Sequence, residues 1–183
     1  MLHGLMSKSA LVVIDMLNAY DFDDAEKLAD SVREVLPNLK ALIDRAAEAD
    51  IPIVYVNDNY GDWNSSADEL VETARRGRFP ELIEEIAPRD DVKFVIKGRH
   101  SIFYATPLEY LVKELEVDRL ILTGQVTEQC VLYSALDAYV RDFEVAVPRD
   151  AVAHIHDDLA EASLRMMEIN MSADTTPAAD LEL

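Results

Sequence analysis

Apolar residues in this chain gather in five short runs: "ALVVID" ending at Asp15, "IPIVYVND" at Asp58, "VKFVIK" at Lys97, "RLILTG" at Gly124 and "FEVAVPRD" at Asp150. The runs are continuous rather than alternating, the pattern of strands covered on both faces of a parallel sheet. Helical patterns lie between them. "DDAEKLADSVREVLPNLKALIDRAAEAD" repeats apolar residues every three or four positions, and Pro37 predicts a kink or a division there. "TPLEYLVKEL" offers Thr106 as an N-cap and Pro107 as the first helical residue. "EQCVLYSALDAYVRD" and "DDLAEASLRMMEIN" supply two more helices. Strand alternating with helix implies right-handed crossovers, hence a doubly wound, Rossmann-like α/β domain with a mostly parallel sheet and helices on both faces.

The length of 183 residues suits one domain, residues 1–183, and 50% hydrophobic content suffices for its core. Residues 1–9 and the small, polar segment from about 174 to 183 read as flexible termini. No apolar window reaches the roughly 18–20 residues of a membrane span, and "MLHGLMSKSA" has no signal-peptide pattern, so a cytoplasmic location is expected. A net charge of −19 would repel phosphate backbones and anionic lipid; neither nucleic acid nor membrane is an expected partner. The acidity fits either a salty cytoplasm or an ordinary solvated surface. The single cysteine, Cys130, can form neither an internal disulfide nor a multi-thiolate metal site, which leaves packing or reactivity as its purpose.

Ligands of open α/β sheets bind beyond the carboxyl ends of the strands. Three of the runs bring chemistry to that edge: the first ends in Asp15, the third in Lys97, and the fourth leads through a short loop to Cys130 at a helix start. Taken singly, Asp15 could cap a helix, Lys97 could snorkel and Cys130 could be a small buried hydrophobe. Together they suggest a nucleophile with its base. A thiol near a helix N-terminus and a lysine should gain thiolate character, and an Asp can take its proton and return it to a leaving amine.

These residues resemble the isochorismatase-like hydrolase superfamily, also called the cysteine hydrolases. "LTGQVTEQCVLYSALDAYVRDFEVAVPRDAVA" is similar to its strand–loop–cysteine–helix–strand core, "KGRHSIFYAT" to its lysine segment and "IDMLNAY" to its first-strand motif. The resemblance implies a six-stranded sheet and a catalytic triad of Asp15, Lys97 and Cys130. It also implies a non-proline cis peptide at Gln125–Val126, with an oxyanion hole from the N–H groups of Val126 and Cys130. The activity implied is hydrolysis of a C–N bond in a small amide or ureido compound through a thioester. Alternatives within the fold are vinyl ether hydrolysis, in which the cysteine is not the nucleophile, and non-catalytic ligand binding. Homo-dimers or homo-tetramers are common in the family.

Nicotinamidases of the family carry a metal site after the second strand, made by an Asp and two histidines. "YVNDNYGDWNSSADE" contains no histidine, and Asp58 or Asp62 offers only oxygen, so neither a metal nor another cofactor is expected. Leu17 replaces the family's usual glutamine in the first motif. Tyr20, Trp63 and Tyr133 are the candidate substrate-binding aromatics, with core packing as the alternative for Trp63 and Tyr133, while Phe103 reads as core. His100 reads as a solvent-facing loop residue at the pocket edge, His154 and His156 as structural or surface residues, and the "ARRGRF" arginines as a surface cluster.

Overall fold

The computed structural model describes residues 8–183. The elements run β1 (Ser9–Ile14), α1 (Ala25–Glu48), β2 (Ile53–Asp58), α2 (Ala67–Arg75), α3 (Glu81–Glu84), β3 (Lys93–Lys97), α4 (Leu108–Glu114), β4 (Arg119–Gln125), α5 (Leu132–Tyr139), β5 (Glu144–Ala146), β6 (Val152–Ala153) and α6 (Asp157–Met171). The six strands form one sheet in the order β3-β2-β1-β4-β5, with β6 also pairing with β4, and every pairing is parallel. The chain therefore leaves β1 toward one side of the sheet and returns for β4 on the other, which places the switch point between β1 and β4.

Strand β1 explains why its sequence run is unbroken. Ala10, Val12 and Ile14 pack on one face with Val112 of α4, Ala135 of α5 and Met167 of α6. Leu11 and Val13 pack on the other with Leu28, Leu39 and Leu42 of α1. No position on the strand reaches water, so none needs to be polar.

Two expectations change. Helix α1 passes through Pro37 without dividing. Pro37 is exposed, and the stripe of Leu28, Val32, Val35, Leu39, Leu42 and Ala46 is buried on the opposite side. At roughly 1.5–3 kcal/mol per large buried side chain, that stripe outweighs the ~3 kcal/mol a mid-helix proline costs. The carboxyl terminus also departs from the expected fraying. Asp174 bridges to Ala146, the Arg45 guanidinium donates to the carbonyls of Ala178 and Leu181, and Leu181 is 1% exposed against the α1 layer. The small, polar composition of this segment hides one anchoring leucine and carbonyls that buried-side arginines can reach. At the amino end, Lys8 is exposed and Ser9 already belongs to β1, while residues 1–7 lie outside those described.

Gly124 sets how closely β4 approaches β1. Its φ is +99°, and a Cβ there would stand 2.2 Å from the carbonyl oxygen of Ile14, immediately before Asp15. We expect Gly124→Ala to destabilise the fold by roughly 3 kcal/mol or more, because both the backbone angle and the contact are lost. Urea unfolding checks this, and a midpoint like the wild type's would show that the strands can part at no cost.

Candidate active site

Asp15 follows β1 and takes a left-handed conformation, φ +53°. For a non-glycine residue that conformation is uncommon, and here neighbouring strands hold it. Its N–H donates to the Val56 carbonyl at 3.0 Å and its Oδ1 accepts from the Asp58 N–H at 2.7 Å. Lys97 ends β3 two strands away, so its long side chain must cross β2 to arrive. Its Nζ lies 2.9 Å from Asp15 Oδ2, 3.2 Å from Asp58 Oδ2 and 3.7 Å from Cys130 Sγ, with 0% of the side chain exposed.

Cys130 lies in a single π-helical turn, Thr127–Val131, which runs straight into α5. Such turns recur at functional sites because they re-aim a side chain. Thr127 Oγ1 donates to the Ala153 carbonyl, and Glu128 Oε1 accepts the N–H groups of Ile155 and His156. Before the turn, the Gln125–Val126 peptide is cis. The Gln125 amide bridges to the Asp15 carbonyl through Nε2, 2.6 Å, and accepts the Tyr20 hydroxyl at Oε1, 3.2 Å. The loop after β3 is held against α5 by the Ser101–Asp137 pair and by Ile102 N–H donating to Ser134 Oγ.

Asp15, Lys97, Cys130, Gln125 and Val126 thus meet at one edge of the sheet. Tyr20 is fully buried against Phe79 and reaches the site through Gln125. Trp63 is 81% exposed with its ring over Gly98, and Tyr133 is 44% exposed with its ring edge-on to His100. His100 faces the thiol, its Nδ1 3.9 Å from Cys130 Sγ, rather than pointing away into solvent. Phe103 is core, stacked on Phe143. His154 braces Ser31 and Asp157, and the arginines at and after the end of α2, Arg75, Arg76 and Arg78, pair with Glu72, Glu84 and Glu26. Leu17 is buried under α2 with Leu70 and Ala74, where a glutamine would lose its hydration; its backbone is clasped on both sides by the Asn57 amide.

Asp58 has a role beyond the single oxygen it could offer a metal. It is the second carboxylate on Lys97, and its Oδ1 accepts the Tyr60 N–H. A nicotinamidase-type metal does not fit this donor set. Both Asp58 oxygens are engaged, and among the described residues no three His, Cys, Asp or Glu side chains stand together to hold an ion. The signal for Asp58 was its strand end, the same feature that marked Asp15 and Lys97.

The thiol also differs from expectation. Burial first, then the Asp15 charge, push Cys130 up to about 12, against the opposing pull of Lys97. Burial likewise raises Asp15, although Lys97 and the thiol hydrogen bond oppose it. Burial would lower Lys97, but Asp15, Cys130 and Asp58 together raise it. At neutral pH the arrangement is a protonated thiol, an unusually basic carboxylate and a fixed ammonium. It can hold a proton between sulfur and oxygen while sulfur attacks an electrophilic carbon.

A hydrolase with a thiol, a carboxylate and an ammonium gathered at the switch point of a Rossmann-like sheet is the class this fold and site define. The chain belongs to the isochorismatase family: the Isochorismatase domain model matches residues 9–180. It is 38% identical over 173 residues to the uncharacterized isochorismatase family protein YaaI of Bacillus subtilis (strain 168), covering 93% of this chain and 96% of that protein. It is 28% identical over 169 residues to maleamate amidohydrolase of Pseudomonas putida, covering 88% and 79%. The crystal structure of N-carbamoylsarcosine amidase from Thermoplasma acidophilum superposes with a TM-score of 0.74 at 24% identity, covering 96% of this chain and 99% of that one, which shows a shared fold. Among the described residues no helix is long and apolar enough to cross a membrane.

Ultraviolet absorbance of the thiolate, each protein measured against its own Cys130→Ala form, tests the electrostatics. We expect no thiolate in the wild type through pH 9, and its appearance at lower pH in Asp15→Asn, because that change removes a raising charge. A wild-type thiolate already present at neutral pH would contradict this balance.

Proposed function

We propose that this isochorismatase-family hydrolase is a metal-independent cysteine amidohydrolase that opens a C–N bond in a small amide or ureido compound through a thioester. The observation that carries the reading is the contact set on Lys97, which draws the Asp15 carboxylate and the Cys130 thiol together. Asp15 accepts the thiol proton as Sγ bonds to the carbonyl carbon. The oxygen takes the charge, and the N–H groups of Val126 and Cys130 stabilise it, by roughly 3–4 kcal/mol per donor if they act as an oxyanion hole. When the C–N bond breaks, Asp15 returns the proton to nitrogen and ammonia or an amine departs. Water then gives a proton to Asp15 and adds to the thioester; the C–S bond breaks, the acid leaves and the thiol regains its proton. Lys97 stays charged throughout and fixes both partners.

Ammonia release from nicotinamide, N-carbamoyl amino acids, ureidoacrylate, maleamate and simple amides tests the reading. We expect one class to be hydrolysed, the rate to fall at least 10³-fold in Cys130→Ala, and a chelator to have no effect. Because Asp15 must be ionised to accept the proton, kcat/KM should fall on the acid side with a midpoint above 3.8, the ordinary carboxyl value. Activity on isochorismate that survives Cys130→Ala, with every amide inert, would replace C–N hydrolysis by ether hydrolysis.

A further inference from the structure

We infer that Arg99 makes this site selective for amides that carry a carboxylate, with that group held in the cavity beside Lys97. The inference rests on the amidohydrolase reading for what happens to the amide, but it stands on separate observations.

A cavity of about 440 Å³ opens at the end of β3, lined by Asn59, Trp63, Lys97, Arg99 and Tyr104 among others. That volume lies within the roughly 300–1,000 Å³ of small-molecule sites. The chain has seventeen Lys and Arg residues against thirty-six acids, and nearly all of the cations are engaged. Among the described residues the side chains of Lys93, Arg99 and Arg165 alone make no ion pair or hydrogen bond, and of these only Arg99 shares a cavity with a residue of the cluster. Arg99 is thus a guanidinium free to take a carboxylate in a cavity that also borders Lys97. The only acid in the cavity lining is Asp62, whose Oδ1 already accepts the Asn64 N–H.

The position also suits a small bifunctional substrate. Arg99 follows Lys97 by two residues and precedes His100, and both of those side chains touch Cys130 Sγ. The Cα atoms of Arg99 and Lys97 stand about 7 Å apart at most, so the backbone that carries the guanidinium is close to the backbone of a residue in contact with the sulfur. The loop that carries Arg99 is braced, with Gly98 under the Trp63 ring and Ser101 tied to Asp137. A planar guanidinium grips a carboxylate through two parallel hydrogen bonds, and a neutral amide cannot replace both charge-assisted contacts. The overall charge of −19 works against anion capture from solution, so selectivity for an anion requires a local cation of this kind.

Trp63 is the only tryptophan and lines the same cavity, so its fluorescence reports occupancy independently of turnover. Succinamate and its neutral counterpart succinamide would be titrated into the wild type, Arg99→Met and Arg99→Lys, with ammonia followed in the same samples. Arg99 is exposed, so the variants should fold, and circular dichroism verifies that. We expect succinamate to saturate the wild-type signal at a concentration at least tenfold below succinamide. Arg99→Met should abolish that preference while leaving the succinamide curve in place, and Arg99→Lys should keep part of it. Equal titration by the two compounds, a preference that survives Arg99→Met, or no response to either would overturn the inference. A preference without ammonia release would leave the anion site standing and sink the amidohydrolase reading. Ammonia from both compounds at equal rates would do the reverse.

Discussion

A lysine ammonium with no exposed surface sits at the carboxyl edge of the sheet, and the geometry around it follows from keeping it charged. Taking an ammonium out of water costs several kcal/mol unless well-placed partners compensate. Lys97 finds them on three other strand ends: Asp15 after β1, Asp58 at the end of β2 and the Cys130 turn after β4. The pairing register sets Asp58 directly beside Lys97 and aligns Ile14 with Val56, so the partners are delivered by the sheet rather than by flexible loops. Removing both carboxylates would leave the buried ammonium uncompensated, a loss on the order of 3–5 kcal/mol. The same interaction therefore holds the edge of the fold and assembles the chemistry.

Two carboxylates around one ammonium leave a negative excess beside the sulfur. That excess, together with burial, keeps the thiol protonated and makes Asp15 a better proton acceptor. Helix-start activation of a resting thiolate is not the operating device here. On the proposed reading the nucleophile is generated only as it reacts, with Asp15 beside it as the proton acceptor. The turn carrying it is fixed from both sides, by Thr127 and Glu128 on β6 and its following loop and by Gln125 on Asp15.

Much of this was legible in the sequence. Unbroken apolar runs gave the buried strands, and polar residues at their ends gave Asp15 and Lys97, because both signals are local. The Gln125–Val126 cis peptide came from family resemblance and could not have come from composition. What escaped depends on three-dimensional neighbours. Asp58 ends its strand as Asp15 and Lys97 end theirs, but only the β2–β3 register shows that it pairs with Lys97. Tyr20 carries the right residue type for a pocket, but its ring faces the α1 layer and only its hydroxyl reaches Gln125. Pro37 and the carboxyl-terminal tail were misread for one reason: local propensity was outweighed by burial of Leu39 and Leu42 in one case and Leu181 in the other.

The central claim is that Cys130 carries the acyl group during turnover. Intact-mass spectrometry of the enzyme quenched in acid while it hydrolyses its best amide substrate tests that directly. The account predicts a species heavier than the free enzyme by the substrate mass less the departing ammonia or amine, mapped by peptide digestion to Cys130. Rapid turnover with the free enzyme as the only species, at every quench time and even with hydroxylamine present to intercept a thioester, would contradict it.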